Sequence, residues 1–352
     1  MNNPEKNQNT LTLGHKRYGK TLCMTDISDV LFTGGFRSGK TESAIYYLSE
    51  VAKANDCRIV ILSVKPDWRK FGKHIGSKKY TCNPLDERKI NIFKAINGVE
   101  LQDMSFVISE LWCLYNRRPM SCAGIMAKAI YAAYKDAGVP YINEGEWTDE
   151  YIEKTKEVTF PKFYDTLKTI VAKDDEDGQK LLKSITAFDN PNSFEYRILG
   201  SSEGLAIDEI IGGANEMTLF ESHNLNLAFS QFLYGVMISG IYKRASVSSS
   251  CDFPKTILVI EEAHSILLSG KSTYEHENVF DKLAENSYTL GLYIFAIAYD
   301  PSNIPSVFVD TVPKHFELSS DTPGQGMCYW LEDEDGIRHS HRFKFDMLPD
   351  EE

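Results

Sequence analysis

Gly34-Gly35-Phe36-Arg37-Ser38-Gly39-Lys40-Thr41 fits the pattern GxxxxGK[ST] at every position. That pattern cradles phosphate. Glycines allow backbone N–H groups to turn inward toward phosphate oxygens, and the positive end of a following helix adds to the pull. Lys40 then reaches the β- and γ-phosphates of ATP, and the Thr41 hydroxyl ligates Mg²⁺. A second stretch, Lys255-Thr256-Ile257-Leu258-Val259-Ile260-Glu261-Glu262-Ala263-His264, reads as a buried strand ending in two carboxylates. In such pairs the first, Glu261, holds Mg²⁺ and the second, Glu262, polarises the attacking water. Strand alternation points the two in different directions, which suits two roles. The plainer readings are a chance glycine turn and a solvated Glu-Glu pair. A strand before the turn and a helix after it speak against the first.

These residues need elements to place them. Val30–Thr33 is a short apolar strand leading into the turn, and Ala44, Ile45, Leu48, Val51 and Ala52 recur at helical spacing within Thr41–Ala54. Arg58–Val64 is a β-branched run of the kind buried on both faces of a sheet. Strand, helix, strand with short links is a βαβ unit, so the sheet is expected to be mainly parallel and the class α/β. From Leu101 to Ala187 apolar residues return at helical spacing, giving a helical insertion over 101–189 interrupted by an acidic linker, Asp174–Asp177. Strands resume at Met217–Phe220, Thr256–Ile260 and Leu292–Ala298, with a long apolar helix over Leu225–Tyr242. Alternation from Met327 to Phe345 predicts edge strands, and residues 1–20 read as a flexible arm. The expected division is an arm at 1–20, an ATPase core at 21–100 and 190–352, and the insertion between.

The chain has 352 residues, 42% hydrophobic and 25% charged, with a net charge of −12. This composition is globular and excludes disordered, collagen-like and disulfide-dense proteins. No apolar run approaches the roughly 18 residues of a membrane span, so no membrane partner is expected. Seven scattered cysteines, odd in number and without a CxxC pair, read as reduced thiols in a cytoplasmic protein. The charge is uneven: residues 1–100 hold 17 Lys+Arg against 10 Asp+Glu, and the remaining 252 hold 21 against 40. A polyanion is therefore expected to be gripped locally. Lys65, Arg69, Lys70, Lys73, Lys78 and Lys79 fall within fifteen residues, and Lys70, Lys73, Lys78 and Lys79 are the candidate contacts to DNA phosphates. A solvated basic loop is the competing reading.

The phosphate turn followed by ILVIEEAH at this separation resembles the HerA–FtsK superfamily of ring ATPases, the HerA branch in particular. Further stretches are similar to that family: Thr12–Gly39 at the entry, Cys82-Asn83-Pro84-Leu85, Tyr293–Pro305, and the glycine turn Thr322-Pro323-Gly324-Gln325-Gly326. The resemblance implies a RecA-like core, Mg²⁺-dependent ATP hydrolysis, a homo-oligomeric ring (usually a hexamer), and translocation or helicase-like work on double-stranded DNA. It also implies a nuclease or other effector partner in DNA repair, antiviral defence or mobile-element DNA handling. An ATP-dependent switch that controls a partner enzyme without moving DNA is the alternative.

Three departures from the family stand out. Ala298-Tyr299-Asp300 lies where a glutamine senses the γ-phosphate, and Asn286-Ser287-Tyr288-Thr289 lies where a basic segment offers an arginine to the neighbouring subunit. The 29 residues before Val30 are too few for the family's β-barrel. Arg244, at the end of the long helix, is the candidate replacement for the arginine, with Arg197 and Arg37 behind it. Its structural reading is a base that satisfies a helix C-terminus. His264 reads as a strand-end cap, and Trp112, Tyr115, Tyr131 and Tyr134 as core. His339 and His341 alternate on a terminal strand but lack further ligands.

Overall fold

The computed structural model describes residues 12–16, 21–23, 27–69, 71, 81–84, 89–140, 148–211, 216–222, 225–248, 253, 255–267, 279–331 and 338–345. The chain divides into two compact units. The first comprises Met1–Asn83, Gly213–Leu219 and Pro254–Glu352, and the second Pro84–Gly212 and Phe220–Phe253.

The first unit carries the sheet. Its strands are β1 (Thr12–Lys16), β2 (Thr21–Cys23), β3 (Val30–Gly34), β4 (Arg58–Ser63), β5 (Thr81–Pro84), β6 (Glu216–Glu221), β7 (Thr256–Glu261), β8 (Leu292–Ile297), β9 (Lys314–Leu318), β10 (Gln325–Leu331) and β11 (Arg338–Lys344). They run in the order β2-β1-β11-β10-β9-β3-β8-β7-β4-β6-β5. The centre is parallel: β9, β3, β8, β7 and β4 pair in that sense, as the βαβ reading predicts. Every residue of β7 and β8 is buried, and so is β4 after Arg58, which is why these strands read as continuous apolar runs.

The sheet also has an antiparallel wing. β9, β10, β11 and β1 pair antiparallel in turn, and β2 closes that side. Two sequence expectations change here. The alternating C-terminal strands are not edges, because β11 is covered by β1. Part of the expected flexible arm is that covering strand, with His15 opposite Lys344. Alternation marks a strand with one polar face, and it cannot say whether a neighbour pairs its edge.

Helix α1 (Lys40–Ala54) lies over one face of the sheet. Its Ile45, Leu48 and Val51 pack with Phe32, Ile59, Ile61, Val259 and Phe295 in one core cluster. Burying each such side chain contributes about 1.5–3 kcal/mol. Phe32 stacks on Phe316 at 4.9 Å between centroids, so the phosphate-turn strand and β9 are joined by side chains as well as by the ladder. At the far end of β3, Asp29 accepts from the Ile294 amide at 2.6 Å and from the Ser287 hydroxyl at 3.3 Å. Burial pushes this carboxyl up to about 6.

The second unit is helical: α2 (Leu101–Tyr115), α3 (Ser121–Asp136), α4 (Asp149–Thr155), α5 (Phe160–Ile170), α6 (Glu176–Ser184), α7 (Phe194–Leu199), α8 (Ile207–Ile211) and α9 (Leu227–Val247). It extends beyond the expected 101–189 because α9 packs on α2, with Trp112 meeting Phe232 at 4.9 Å. Side chains of Thr148, Thr159, Asp175, Ser193 and Asn226 cap their helices. Asp174–Asp177 is thus not a linker: Asp175 is the N-cap of α6 and Glu176 and Asp177 fill its first turn, where negative charge suits the dipole. Tyr131 is 45% exposed, so it is not core, whereas Trp112, Tyr115 and Tyr134 are buried. Among the described residues the first unit also holds the short helices α10 (Ala263–Ile266), α11 (Val279–Asn286) and α12 (Ser306–Thr311).

Candidate functional site

The phosphate turn leaves β3 at Gly34 and enters α1 at Lys40. Two glycines are required by geometry. Gly34 has φ 144°, and a Cβ there would meet the Leu318 carbonyl oxygen at 2.4 Å; Gly39 has φ 83°, and a Cβ there would lie 2.9 Å from the Gly324 amide nitrogen. Arg37 also takes a left-handed φ of 61°. Ser38 is fully buried; its carbonyl accepts from the Gly324 amide at 2.9 Å, and its hydroxyl has no hydrogen-bond partner. The Lys40 ammonium donates to the Gly34 and Gly35 carbonyls, each at 2.8 Å. Burial lowers the Lys40 pKa, nearby Glu262 opposes that, and repulsion from Lys65 adds to it. Phe36 is 76% exposed, and Arg37 lies over its ring.

The acidic strand ends beside this turn. Thr41 Oγ1 donates to Glu261 Oε1 at 3.1 Å across 220 residues of sequence. Ser63, at the end of β4, donates to the other oxygen, Glu261 Oε2, at 2.5 Å. Glu261 is 1% exposed, and burial raises its pKa against the pull of Ser63, Lys65 and Thr41. Glu262 differs in every respect. It sits just past the strand at φ 54° and ψ 39°, its side chain is 35% exposed, and Oε1 lies 3.1 Å from the Lys65 ammonium. His264 Nδ1 is 3.6 Å from its other oxygen, so His264 faces the acid pair rather than the strand's backbone. The two carboxylates thus sit in different surroundings. One is buried among hydroxyls, and the other is held at the rim by a cation.

Lys40, Thr41, Lys65, Glu261 and Glu262 line one cavity of about 530 Å³, a size usual for small-molecule sites. It opens at the C-terminal ends of the parallel strands, where such sheets bind ligands. β8 lies between β3 and β7 in the sheet, so the residues after it, Ala298 and Tyr299, enter the cavity between the phosphate turn and the acid pair. Tyr299 is 58% exposed, with the Lys40 ammonium 5.8 Å from its ring centroid. Asp300 turns away and caps the next turn through the Ser302 amide.

The donor set fits Mg²⁺ and a nucleotide phosphate. Magnesium keeps most of its waters and takes one or two hard oxygen ligands, and Thr41 with the desolvated Glu261 carboxylate offers two. The unpartnered Ser38 hydroxyl adds an unused polar atom in the buried floor of the turn.

Of the other predicted residues, Arg37 alone among those described lies at the cavity. Arg244 lies in the helical unit, 3.1 Å from Asp208 and bonded to the Ser248 hydroxyl. Arg197, also there, covers the Phe194 ring at 4.4 Å. Lys70, Lys73, Lys78 and Lys79 lie outside the described residues; the His339 and His341 side chains are likewise not described. Cys57, Cys113, Cys122 and Cys328 are buried. Lys65, which the sequence offered only as one member of a basic run, is the site residue that reading missed. Its position directly after the second core strand was the available clue.

No protein-family profile matches the chain, and no curated protein does. Solved structures do. VirB4 of Thermoanaerobacter pseudethanolicus superposes with a TM-score of 0.69 at 13% identity, covering 96% of this chain and 97% of that one. The bacterial conjugative coupling protein TrwB, lacking its N-terminal segment, gives 0.51 at 12% identity over 90% of this chain and 77% of that one. TrwB in complex with the non-hydrolysable ATP analogue ADPNP gives 0.50 at 12% identity over 89% and 78%. The likeness is one of fold, the RecA-like P-loop core.

Proposed function

We propose that this protein is a Mg²⁺-dependent ATPase that uses turnover to move or remodel double-stranded DNA as a homo-oligomeric ring, a hexamer on the HerA–FtsK pattern. One observation carries the chemistry: the phosphate turn and the acid pair, distant in sequence, meet at the Thr41–Glu261 hydrogen bond in one cavity. Backbone amides of residues 34–40 hold the phosphates, and Lys40 leaves the Gly34 and Gly35 carbonyls to bind them. Thr41 and Glu261 would hold Mg²⁺, which when bound neutralises phosphate charge. Glu262 orients a water and takes its proton as the water oxygen bonds the terminal phosphorus. The bond to the bridging oxygen breaks, and ADP leaves.

The nucleic-acid part of the reading rests on the fold shared with a conjugative coupling protein and on the basic excess of the first hundred residues. The further part, service to a nuclease or other effector, rests on the HerA resemblance. Arg244 is assigned a structural role, because Asp208 and Ser248 hold its guanidinium.

The test is the ATPase rate with and without duplex DNA at low and moderate salt, with Glu262→Gln as the blank. Stimulation that fades with salt and vanishes in the variant supports a DNA-driven motor. Turnover abolished by the variant yet indifferent to DNA supports the switch instead. Turnover that survives Glu262→Gln sinks the assignment of the site.

A further inference from the structure

The second lysine of the cavity has no role in the reading so far, and its placement is specific. Lys65 follows β4 on a turn fixed from both sides. The Ser63 hydroxyl accepts from the Lys65 amide at 3.0 Å, and its single proton has two acceptors in reach, the Lys65 carbonyl at 2.6 Å and Glu261 Oε2 at 2.5 Å. Pro66 then opens a short 3-10 helix whose Trp68 is wholly buried and packs edge-on against Phe71. The backbone is anchored, and the side chain is free to swing, at 49% exposure. Its ammonium lies 3.1 Å from Glu262 and 4.0 Å from Glu261, lines the same cavity as Lys40, and is close enough to repel it. The same Ser63 hydroxyl touches Glu261, so Lys65 and the buried carboxylate hang from one atom.

Lys40 and Lys65 balance Glu261 and Glu262, and Arg37, Glu42 and Asp67, which line the same cavity, leave it without excess positive charge. A triphosphate adds charge that ADP lacks, at the position between Lys40 and the acid pair. Lys40 serves the phosphate turn. A half-exposed ion pair such as Lys65–Glu262 contributes little, so giving it up costs little.

We propose that Lys65 is a cation for the terminal phosphate, exchanging between Glu262, where it lies here, and the γ-phosphate of bound ATP. In the first position it occupies the lone pairs with which Glu262 must accept a proton. In the second it releases that carboxylate and offsets charge on the transferring group, work for which the sequence lacks the usual arginine segment at 286–289. This inference rests on the ATPase reading. It differs from that reading in making the site sense the third phosphate.

The test uses the full chain as wild type, Lys65→Met and Lys65→Arg. Affinities for a non-hydrolysable ATP analogue and for ADP are measured with Mg²⁺, followed by kcat and KM for ATP. Lys65→Met is expected to lose about tenfold or more in analogue affinity, the loss a charge-assisted hydrogen bond carries, while ADP affinity holds. Its kcat falls, and Lys65→Arg restores most of both. Equal losses for analogue and ADP, unchanged affinities, or a Lys65→Met chain faster than wild type each overturn the inference. The last would make Lys65 only a brake on Glu262. A wild type that binds both nucleotides without hydrolysing ATP sinks the ATPase reading and leaves the affinity comparison to decide Lys65. One that binds neither overturns both.

Discussion

Glu262 holds a backbone conformation that its residue type disfavours, and the cost can be measured. At φ 54° and ψ 39° it is left-handed, which costs a non-glycine residue about 1–2 kcal/mol. Comparing Glu262→Ala with Glu262→Gly isolates that cost, because both variants lose the carboxylate and the Lys65 ion pair equally. Glycine escapes the steric penalty but gains freedom in the unfolded chain, which returns about 0.4–1 kcal/mol. The net expectation is that Glu262→Gly is the more stable by about 0.5–1 kcal/mol. Urea unfolding followed by tryptophan fluorescence reads the difference, since Trp68 and Trp112 are buried in the two units. Turnover in both variants should fall by about 10²–10⁴, the usual contribution of a positioned base. A glycine variant no more stable than the alanine variant would refute the strain argument. The conformation would then be one this turn imposes at no cost.

Asp29 makes stability depend on pH. Its carboxyl is raised to about 6 in the folded chain, so its stabilising contribution is complete below about pH 4 and lost as pH rises through about 6. Relative to Asp29→Asn, the wild type should lose on the order of 3 kcal/mol between pH 4 and 7, seen in parallel urea titrations. Arg244→Ala should destabilise the helical unit by about 1–2 kcal/mol, the loss of a partly buried ion pair with Asp208 and of the hydrogen bond to Ser248. If the folded variant instead loses turnover with its stability intact, Arg244 returns to the catalytic list.

The parts of the site that were legible are those written in short runs. GGFRSGKT and ILVIEEAH each carry their own element with them, a strand end and a turn, so residue types and spacing sufficed. The contacts that join them were not legible. Lys65 meets Glu262 across 197 residues, and no local pattern encodes such a pairing. The parallel centre showed in the unbroken apolar runs of β4, β7 and β8. The antiparallel wing was seen as strands without their neighbours, because pairing is decided by the partner's edge rather than by alternation. Tyr131 shows the same limit on a helix: its spacing matches Trp112, Tyr115 and Tyr134, but the face it occupies is set by what packs opposite.

The hydrogen bond from the Gly324 amide to the Ser38 carbonyl has a consequence for how the chain can be divided. Gly324 in turn accepts from the Phe345 amide, so the tight turn between β9 and β10 is pinned to the phosphate turn on one side and to the end of β11 on the other. A fragment ending after β8 would keep Lys40, Thr41, Glu261, Glu262 and Lys65. It would lose the wall against which the phosphate turn is bent. Every residue named by the motifs would be present, and the shape that makes them a site would not.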